Sequence, residues 1–198
     1  MNKELLQKLA RLHIITPCGI IHLGKCFIHD GITLMAIMRF AAHHYPDKCA
    51  LISDGERFSY KELYRLACHL ARILFRNYGV RRDMCIGLLC RNHLMTVLLL
   101  PALSRLGVRI KLINTDIAAS KIGEVVRKNN MQMLFSDSDL KEKCICENLP
   151  CQTETTEDLF KTLFDNHIDT DFKIPHIGRG REISVFTGGS SGTYKEAP

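Results

Sequence analysis

The chain has 198 residues and a mass of 22.5 kDa. Its 27 Lys and Arg residues outnumber its 21 Asp and Glu residues, which gives a formal net charge of +6. With 46% hydrophobic and 24% charged residues, the composition is that of a globular protein and excludes collagen-like, coiled-coil and disordered chains. The length allows one domain, or one and a half, and is sufficient to bury a core.

The positive charge is dispersed along the chain. Its densest pair, Arg81-Arg82, is followed directly by Asp83. This pattern predicts a solvated surface and no nucleic-acid partner, while it leaves open weak peripheral contact with anionic membranes or with phosphate-bearing small molecules. The sequence shows neither the apolar core of a secretion signal nor a stretch long enough to span a membrane, so we expect a cytoplasmic protein.

The nine cysteines fit the buried, reduced thiols of a cytoplasmic protein. Their tightest group is Cys144, Cys146 and Cys151. Zinc sites usually contain paired C-x2-C knuckles or a matched histidine, and this group has neither. We therefore predict no metal site, and a zinc or redox role for these three residues is the alternative.

The first 45 residues are predicted to be helical with breaks. One short helix is expected over residues 4–12, and Thr16-Pro17 and Gly19 should interrupt the helical pattern that follows. A second helical run is expected over residues 32–42. The Tyr45-Pro46-Asp47 sequence then predicts a turn, because the residue before a proline avoids the helical region.

A β-hairpin and a capped helix are predicted next. The apolar run Cys49–Ser53 is followed by Asp54-Gly55, a strong hairpin signal, and Arg57-Phe58 begins the returning strand. Ser59 and Glu62 then match a capping box, in which each side chain bonds the other residue's backbone amide. The helix that follows should end at Gly79. Its apolar positions have the i, i+3, i+4, i+7 spacing of a helix packed on a sheet: Leu63, Leu66, Ala67, Leu70, Ile73 and Leu74.

Apolar strands and amphipathic helices then alternate, which predicts an α/β fold built from βαβ units with a mainly parallel sheet. Within this series, Pro101 should kink or break its helix. The predicted strands cover 84–89, 108–113 and 131–135, and the predicted helices cover 93–106 and 118–130.

The remaining sequence is less regular. One helix is predicted over 156–164, a polar connector over 165–181 and a short strand over 182–186. We therefore expect four parts, namely an N-terminal helical segment at 1–45, a βαβ subdomain at 46–136, an irregular connector at 137–182, and a strand with a Gly/Ser/Thr-rich loop at 183–198.

The last dozen residues carry the clearest chemical signal. A strand leads into the sequence Thr-Gly-Gly-Ser-Ser-Gly-Thr-Tyr-Lys at 187–195. Its glycines let backbone amides point inward to form an anion nest, and its hydroxyls and Lys195 add donors for phosphate oxygens. The spacing matches neither a Walker A loop nor a Rossmann fingerprint. A flexible Gly/Ser tail is the alternative.

The same segment resembles the phosphate-binding signature Thr-Ser-Gly-Thr-Thr-Gly-any-Pro-Lys of the AMP-forming acyl-CoA synthetases, members of the adenylate-forming superfamily. Residues 45–52 are similar to the family's "PDKPALI" segment, and 58–63 to its "LTYRELD" helix start. Residues 79–83, 89–93, 105–107 and 112–115 resemble "GVRPGD", "LLRNH", "KLGA" and "LLNT". The "RNH" and "LNT" forms favour the long-chain fatty acid branch.

The signature also departs from the family pattern. Gly188 stands in place of the usual Ser, Tyr194 in place of Pro, and Glu196 in place of a common Gly, which adds negative charge near the phosphates. Lys195 is retained. The resemblance assigns ATP-phosphate binding to Thr187, Gly188, Gly189, Ser190, Ser191, Gly192 and Lys195.

The resemblance implies an acid–thiol ligase that uses ATP, Mg²⁺ and CoA to activate a carboxylic acid. The long-chain branch of the family implies that this acid is a fatty acid. In the family, the adenine pocket, the acyl tunnel, the Mg²⁺-binding segment and the catalytic C-terminal domain follow this signature, whereas the chain stops three residues after Lys195. We therefore expect these 198 residues to be an incomplete N-terminal portion, inactive alone and without catalytic residues, whose partner is a separately encoded C-terminal portion. A non-catalytic α/β remnant or partner-binding module is the alternative.

Overall fold

The computed structural model describes residues 16–145, 149–165, 173–188 and 194–197. The helix expected over 4–12 lies outside these residues. The helices of the described part are α1 Pro17–Asp30, α2 Leu34–His44, α3 Tyr60–Arg76, α4 Leu94–Leu106, α5 Ala119–Lys128, α6 Lys141–Ile145 and α7 Thr156–Asp165, with a 3₁₀ turn at Ser138–Leu140. The strands are β1 Cys49–Ser53, β2 Glu56–Ser59, β3 Cys85–Leu89, β4 Arg109–Ile113, β5 Met133–Ser136, β6 Gln152–Thr155, β7 Ile183–Gly188 and β8 Tyr194–Ala197.

Six strands form one sheet in the order β6-β5-β3-β4-β7-β8. The first five are parallel, and β8 is antiparallel to β7. Parallel neighbours need crossover connections, and the helices between the strands supply them. The predicted α/β fold with a mainly parallel sheet is confirmed.

The sheet is covered on both faces, as a parallel sheet requires. One face packs Ile86, Leu88 and Ile110 against the apolar stripes of α3 and α4. The other face packs Cys85, Leu89 and Ile113 against α5 and α6. Successive residues of a strand point to opposite faces of the sheet, so the same short strands contribute side chains to both apolar clusters.

The predicted hairpin and capping box are both present. β1 and β2 form a separate two-stranded sheet joined by Asp54 and Gly55, whose φ angles of 51° and 83° are those of a left-handed hairpin turn. The Ser59 amide donates to the Glu62 carboxylate over 2.8 Å, and the Glu62 amide donates back to the Ser59 hydroxyl over 3.3 Å. The last residue of helix α3 is Arg76, and Gly79 follows the helix end with the left-handed φ of 66° that is typical of a terminating glycine.

Helix α1 begins at Pro17, with Thr16 as its N-cap, because the first helical position needs no amide hydrogen. Gly19, which was expected to interrupt the helical pattern, lies inside α1. Pro101 lies inside α4, which continues through it to Leu106, so the helix is not broken there and a kink at Pro101 stays a prediction. Pro101 is buried in the helix layer, and this packing holds the helix together across the missing hydrogen bond.

The segment at 137–182 is more regular than expected. Gln152–Thr155 forms β6, which pairs in parallel with β5 and extends the sheet. This strand was missed because it is short and largely polar, and its position comes from pairing rather than from an apolar pattern. The predicted helix after it is confirmed as α7.

The chain before β7 is tied to the turn between α1 and α2. Ile32 and Arg179 form an isolated parallel bridge, with the Ile32 amide donating to the Gly178 carbonyl over 2.8 Å. A Cβ on Gly31, whose φ is +74°, would lie 2.9 Å from that carbonyl oxygen. Glycine is therefore required at position 31 for both its conformation and the close approach.

Candidate functional site

The five parallel strands end at one edge of the sheet, where ligands of open α/β folds bind. The chain leaves β3 towards the face covered by α4 and leaves β4 towards the opposite face covered by α5. Open α/β folds form their ligand crevices at such a reversal between neighbouring strands. β7 pairs with β4 in parallel, and therefore its carboxyl end lies at the same edge.

The two ends of the predicted phosphate loop meet at this edge. Thr187 and Gly188 are the last residues of β7, and the antiparallel register pairs Thr187 with Lys195 and Gly188 with Tyr194. The backbone thus brings the first and last predicted site residues side by side. Gly189, Ser190, Ser191 and Gly192, which join the two strands, lie outside the described residues.

A polar cluster missed by the sequence analysis lies at the same edge. The Asp137 carboxylate follows β5, is only 6% exposed and is bonded by three residues. The Arg91 amide donates to it over 2.9 Å, the Thr156 hydroxyl over 3.0 Å, and His93 Nε2 lies 2.8 Å away. One carboxylate therefore joins the ends of β3, β5 and β6.

Two further carboxylates flank this cluster. Arg91 bonds the exposed Asp139 over 2.8 Å, which lowers the pKa of Asp139 below its ordinary value. Burial works to raise the pKa of Glu157, but bonds from the Ser138 hydroxyl and amide outweigh it and the pKa is lowered. These ionised groups border an open cavity of about 860 Å³, next to the apolar rings of Phe58 and Phe160.

A sequence signal for this cluster did exist. Arg91-Asn92-His93 and Asp137-Ser138-Asp139 each follow directly after an apolar strand. Polar residues placed after parallel strands meet at the carboxyl edge of the sheet. The contact between these two segments could have been inferred from the order of the strands in the sheet. The apolar pattern of the sequence does not reveal that order.

The cysteine group has no metal-binding geometry among the residues described. Cys144 is buried and Cys151 half-buried in the core beneath α5 and α6, while Cys146 lies outside the described residues. Burial raises the pKa of Cys144 and raises that of Cys151 to about 11, so both remain protonated thiols at neutral pH. In the described part of the chain, no three His, Cys, Asp or Glu side chains are placed to hold a metal ion.

A family model described as AMP-binding enzyme matches residues 38–195, which is more than half of the chain. The chain belongs to the AMP-binding enzyme family. The matched region starts in α2, contains the strands β3, β4 and β7, and includes the predicted phosphate loop up to Lys195. The resemblance found in the sequence motifs is confirmed.

Curated relatives of the chain include ligases of aromatic acids. It is 29% identical over 105 residues to 4-chlorobenzoate–CoA ligase of an Arthrobacter species, covering 52% of this chain and 20% of the relative. It is 34% identical over 77 residues to 2-succinylbenzoate–CoA ligase of Listeria innocua, covering 39% of this chain and 16% of that relative. The chain therefore spans about a fifth of the length of these relatives.

The fold is shared with solved structures of the family. A long-chain-fatty-acid CoA ligase of Rhodopseudomonas palustris superposes with a TM-score of 0.69 at 22% identity, covering 86% of this chain and 44% of that one. At this identity the likeness concerns the fold alone. Among the described residues, no helix of the chain is long and apolar enough to cross a membrane.

Proposed function

We propose that residues 187–195 form an ATP phosphate-binding loop and that the chain contributes it to an acyl- or aryl-CoA ligase. The observation that carries the proposal is the backbone pairing of Thr187 with Lys195 at the carboxyl edge of a parallel sheet, within the matched family region. Inward amides of the glycines would bind phosphate oxygens, and the hydroxyls of Thr187, Ser190 and Ser191 and the Lys195 ammonium would add donors.

In the whole ligase, a carboxylate oxygen would attack the α-phosphorus of ATP and expel pyrophosphate, leaving an acyl-adenylate. The CoA thiolate would then attack the acyl carbon and release AMP. We propose that the acid is a fatty acid, because the motifs around Arg91-Asn92-His93 and Asn114-Thr115 resemble that branch. The curated relatives that activate aromatic acids make an aromatic carboxylate the competing substrate class.

Mg²⁺ would supply charge neutralisation between the phosphates. The described residues contain no group of three protein ligands for a metal ion. We propose that in the whole ligase Mg²⁺ would be bound by the ATP phosphates together with the Mg²⁺-binding segment that follows this signature in the family. The role of this chain is then to bind and orient the phosphates.

Calorimetry with ATP–Mg²⁺ tests the loop. We expect saturable binding that is weakened at least about tenfold by Lys195→Ala, since a charge-assisted bond to phosphate is lost. Lys128→Ala is the matched control, because Lys128 is an exposed lysine at the end of α5. No heat at millimolar nucleotide, or equal losses in both variants, would instead support the non-catalytic module.

A further inference from the structure

A cleft of about 800 Å³ lies at the amino ends of the parallel strands, at the edge of the sheet opposite the phosphate loop. Asp83 comes two residues before β3, Arg109 begins β4 and Ile183 begins β7, and all three line the cleft. Its other wall is formed by the end of α1, the turn after it and the start of α2. None of its described lining residues borders the cavity at the carboxyl edge, so the cleft is separate from the proposed ATP site.

Large aliphatic side chains project to solvent around this cleft. Ile32 and Ile37 line it and are 58% and 55% exposed. Ile28, which follows the lining residue Phe27, is 78% exposed. Of the nine large hydrophobic side chains that are exposed in the described part of the chain, five lie between residues 20 and 37. This end of the molecule therefore carries a concentration of uncovered apolar surface, which is typical of an interaction site.

Four arginine side chains line the same cleft, namely Arg82, Arg109, Arg179 and Arg181. The segments that contribute its lining residues, 16–38, 81–84, 103–110 and 177–184, lie wholly within the described part of the chain. These segments contain seven Lys and Arg residues against three Asp and Glu residues, a net charge of +4. Such an excess of positive charge beside an exposed apolar surface attracts anions.

The two carboxylates that line the cleft are bonded within the protein. Arg181 bonds Asp83, and the buried Lys111 bonds Glu182 over 2.9 Å. Arg179 is exposed and makes no ion pair with any of the described residues. Its guanidinium group is therefore available to an external anion such as a phosphate, which guanidinium groups bind through paired N–H donors.

The hydroxyl groups of the cleft are already hydrogen-bonded inside the fold. The Thr33 hydroxyl donates to the Asp30 carbonyl, and the Ser104 hydroxyl accepts from the Leu34 amide, each over 3.1 Å. The cleft thus offers a partner mainly positive charge and protruding aliphatic side chains. A protein partner binds through complementary pockets and about one hydrogen bond per 100–200 Å². A lipid bilayer needs neither, because aliphatic insertion and attraction to anionic headgroups are sufficient.

We propose that this surface binds anionic lipid bilayers. We call it the amino-edge patch, and it consists of Ile28, Ile32 and Ile37 together with the four arginines of the cleft. The isoleucines would enter the boundary between headgroups and acyl chains, and the guanidinium groups would bind lipid phosphates. The contact is peripheral and reversible, because three side chains bury little apolar area. It does not depend on whether the loop binds ATP.

Sedimentation of the 198-residue chain with vesicles tests the proposal. Vesicles of phosphatidylcholine alone are compared, at equal total lipid, with vesicles that contain about 30% phosphatidylglycerol. We expect a partition coefficient at least about tenfold higher for the anionic vesicles, since each arginine near the surface contributes to the attraction. This preference should fall in about 0.5 M NaCl, because salt screens exposed charges.

A double variant locates the binding surface. Arg179→Gln combined with Ile37→Gln should lower the partition coefficient for anionic vesicles at least about tenfold, because one phosphate contact and one inserted aliphatic side chain are lost. Ile52→Gln combined with Arg57→Gln is the matched control, since it removes the same charge and the same side-chain type. Ile52 and Arg57 are exposed, pair directly across the β1–β2 hairpin and do not line the cleft.

The proposal is overturned if the folded chain binds neither kind of vesicle, a result that would leave a protein partner as the occupant of the patch. It is also overturned if the chain binds both kinds equally, or if the control variant lowers the partition coefficient as much as the patch variant does. Circular dichroism and thermal unfolding without lipid establish that each protein under test is folded.

Discussion

At the scale of single residues, Asp30 joins three helices through its carboxylate. It ends α1, bonds Arg39 of α2 and lies beside Arg105 of α4. Its side chain is 5% exposed, so its charge depends on these partners rather than on water. A carboxylate in this position is a strong stability determinant, because removing it takes the anionic partner from the buried Arg105 and from Arg39, whose side chain is 28% exposed.

We expect Asp30→Asn to lower the free energy of unfolding at pH 7 by about 3 kcal/mol, the usual consequence of breaking a buried ion pair. The pKa of Asp30 is lowered in the folded state, so its stabilisation is present above the unfolded value of 3.8 and is lost as pH falls through the folded value. The difference from wild type should therefore shrink below pH 3.8.

Urea unfolding at pH 7 and pH 3 measures both effects. Asp47→Asn is the control, because Asp47 is exposed and the loss of its charge should change stability little. If the free energy of unfolding fell equally in the two variants, or if its decrease in Asp30→Asn did not depend on pH, the role given to Asp30 would be contradicted.

The capping box of α3 gives a second prediction for a single residue. Replacing Ser59 with Ala removes the acceptor for the Glu62 amide and should cost about 1 kcal/mol of unfolding free energy. Lys61→Ala, a change at an exposed position in the same first turn, should cost clearly less. Denaturant unfolding monitored by circular dichroism compares the two variants, and equal losses would show that the cap does not stabilise α3.

At the scale of elements, the fold depends on how closely side chains from the neighbouring strands pack over the central strand β3. Gly87 lies in the middle of that strand, where a Cβ would meet Leu134 Cδ1 at 2.7 Å, Met131 Sδ at 3.0 Å and Ile113 Cδ1 at 3.3 Å. The side chains covering this face are therefore packed into the space a larger residue would need. By contrast, a Cβ on Gly24 of α1 would meet nothing within 4 Å.

We expect opposite effects from the same substitution at these two glycines. Gly87→Ala should destabilise the protein by about 1–3 kcal/mol through overpacking. Gly24→Ala should stabilise it by about 0.5–1 kcal/mol, because alanine restricts the unfolded chain and favours the helix. Thermal and urea unfolding compare the stability of each variant with that of the wild type. If both substitutions destabilise the protein, α1 is more closely packed around Gly24 than described.

At the scale of the whole molecule, one side of α1 presents large aliphatic side chains to solvent. Ile20, Ile21 and Ile28 are 58%, 61% and 78% exposed. Their spacing places them on one face of the helix, with Gly24 between them. Exposed apolar residues grouped in this way reduce solubility.

Ile21→Lys combined with Ile28→Lys should raise the concentration at which ammonium sulfate precipitates the protein. The cause is the loss of grouped apolar surface together with added charge. Ile52→Lys is the control, since Ile52 is 62% exposed on the separate hairpin. A similar gain from Ile52→Lys would assign the effect to net charge alone.

Local patterns in the sequence determined most of the secondary structure. The Asp54-Gly55 turn, the Ser59 and Glu62 box and the alternation of strands with amphipathic helices all depend on residues close in the chain, and each is present. The motif ending at Lys195 identified the family, because its residue types and spacing are specific without any knowledge of contacts.

The tertiary structure decided what depends on residues far apart. The polar strand β6 exists because β5 is beside it, and α4 continues through Pro101 because that residue is buried in the helix layer. The carboxylates of Asp30 and Asp137 acquired their partners from segments up to 75 residues away along the chain. Charge and composition excluded whole classes of protein at the outset. They could not predict that four of the 27 basic residues line one small cavity, because only the packing of α2, α3 and α4 with the segment at 173–176 brings those charges together.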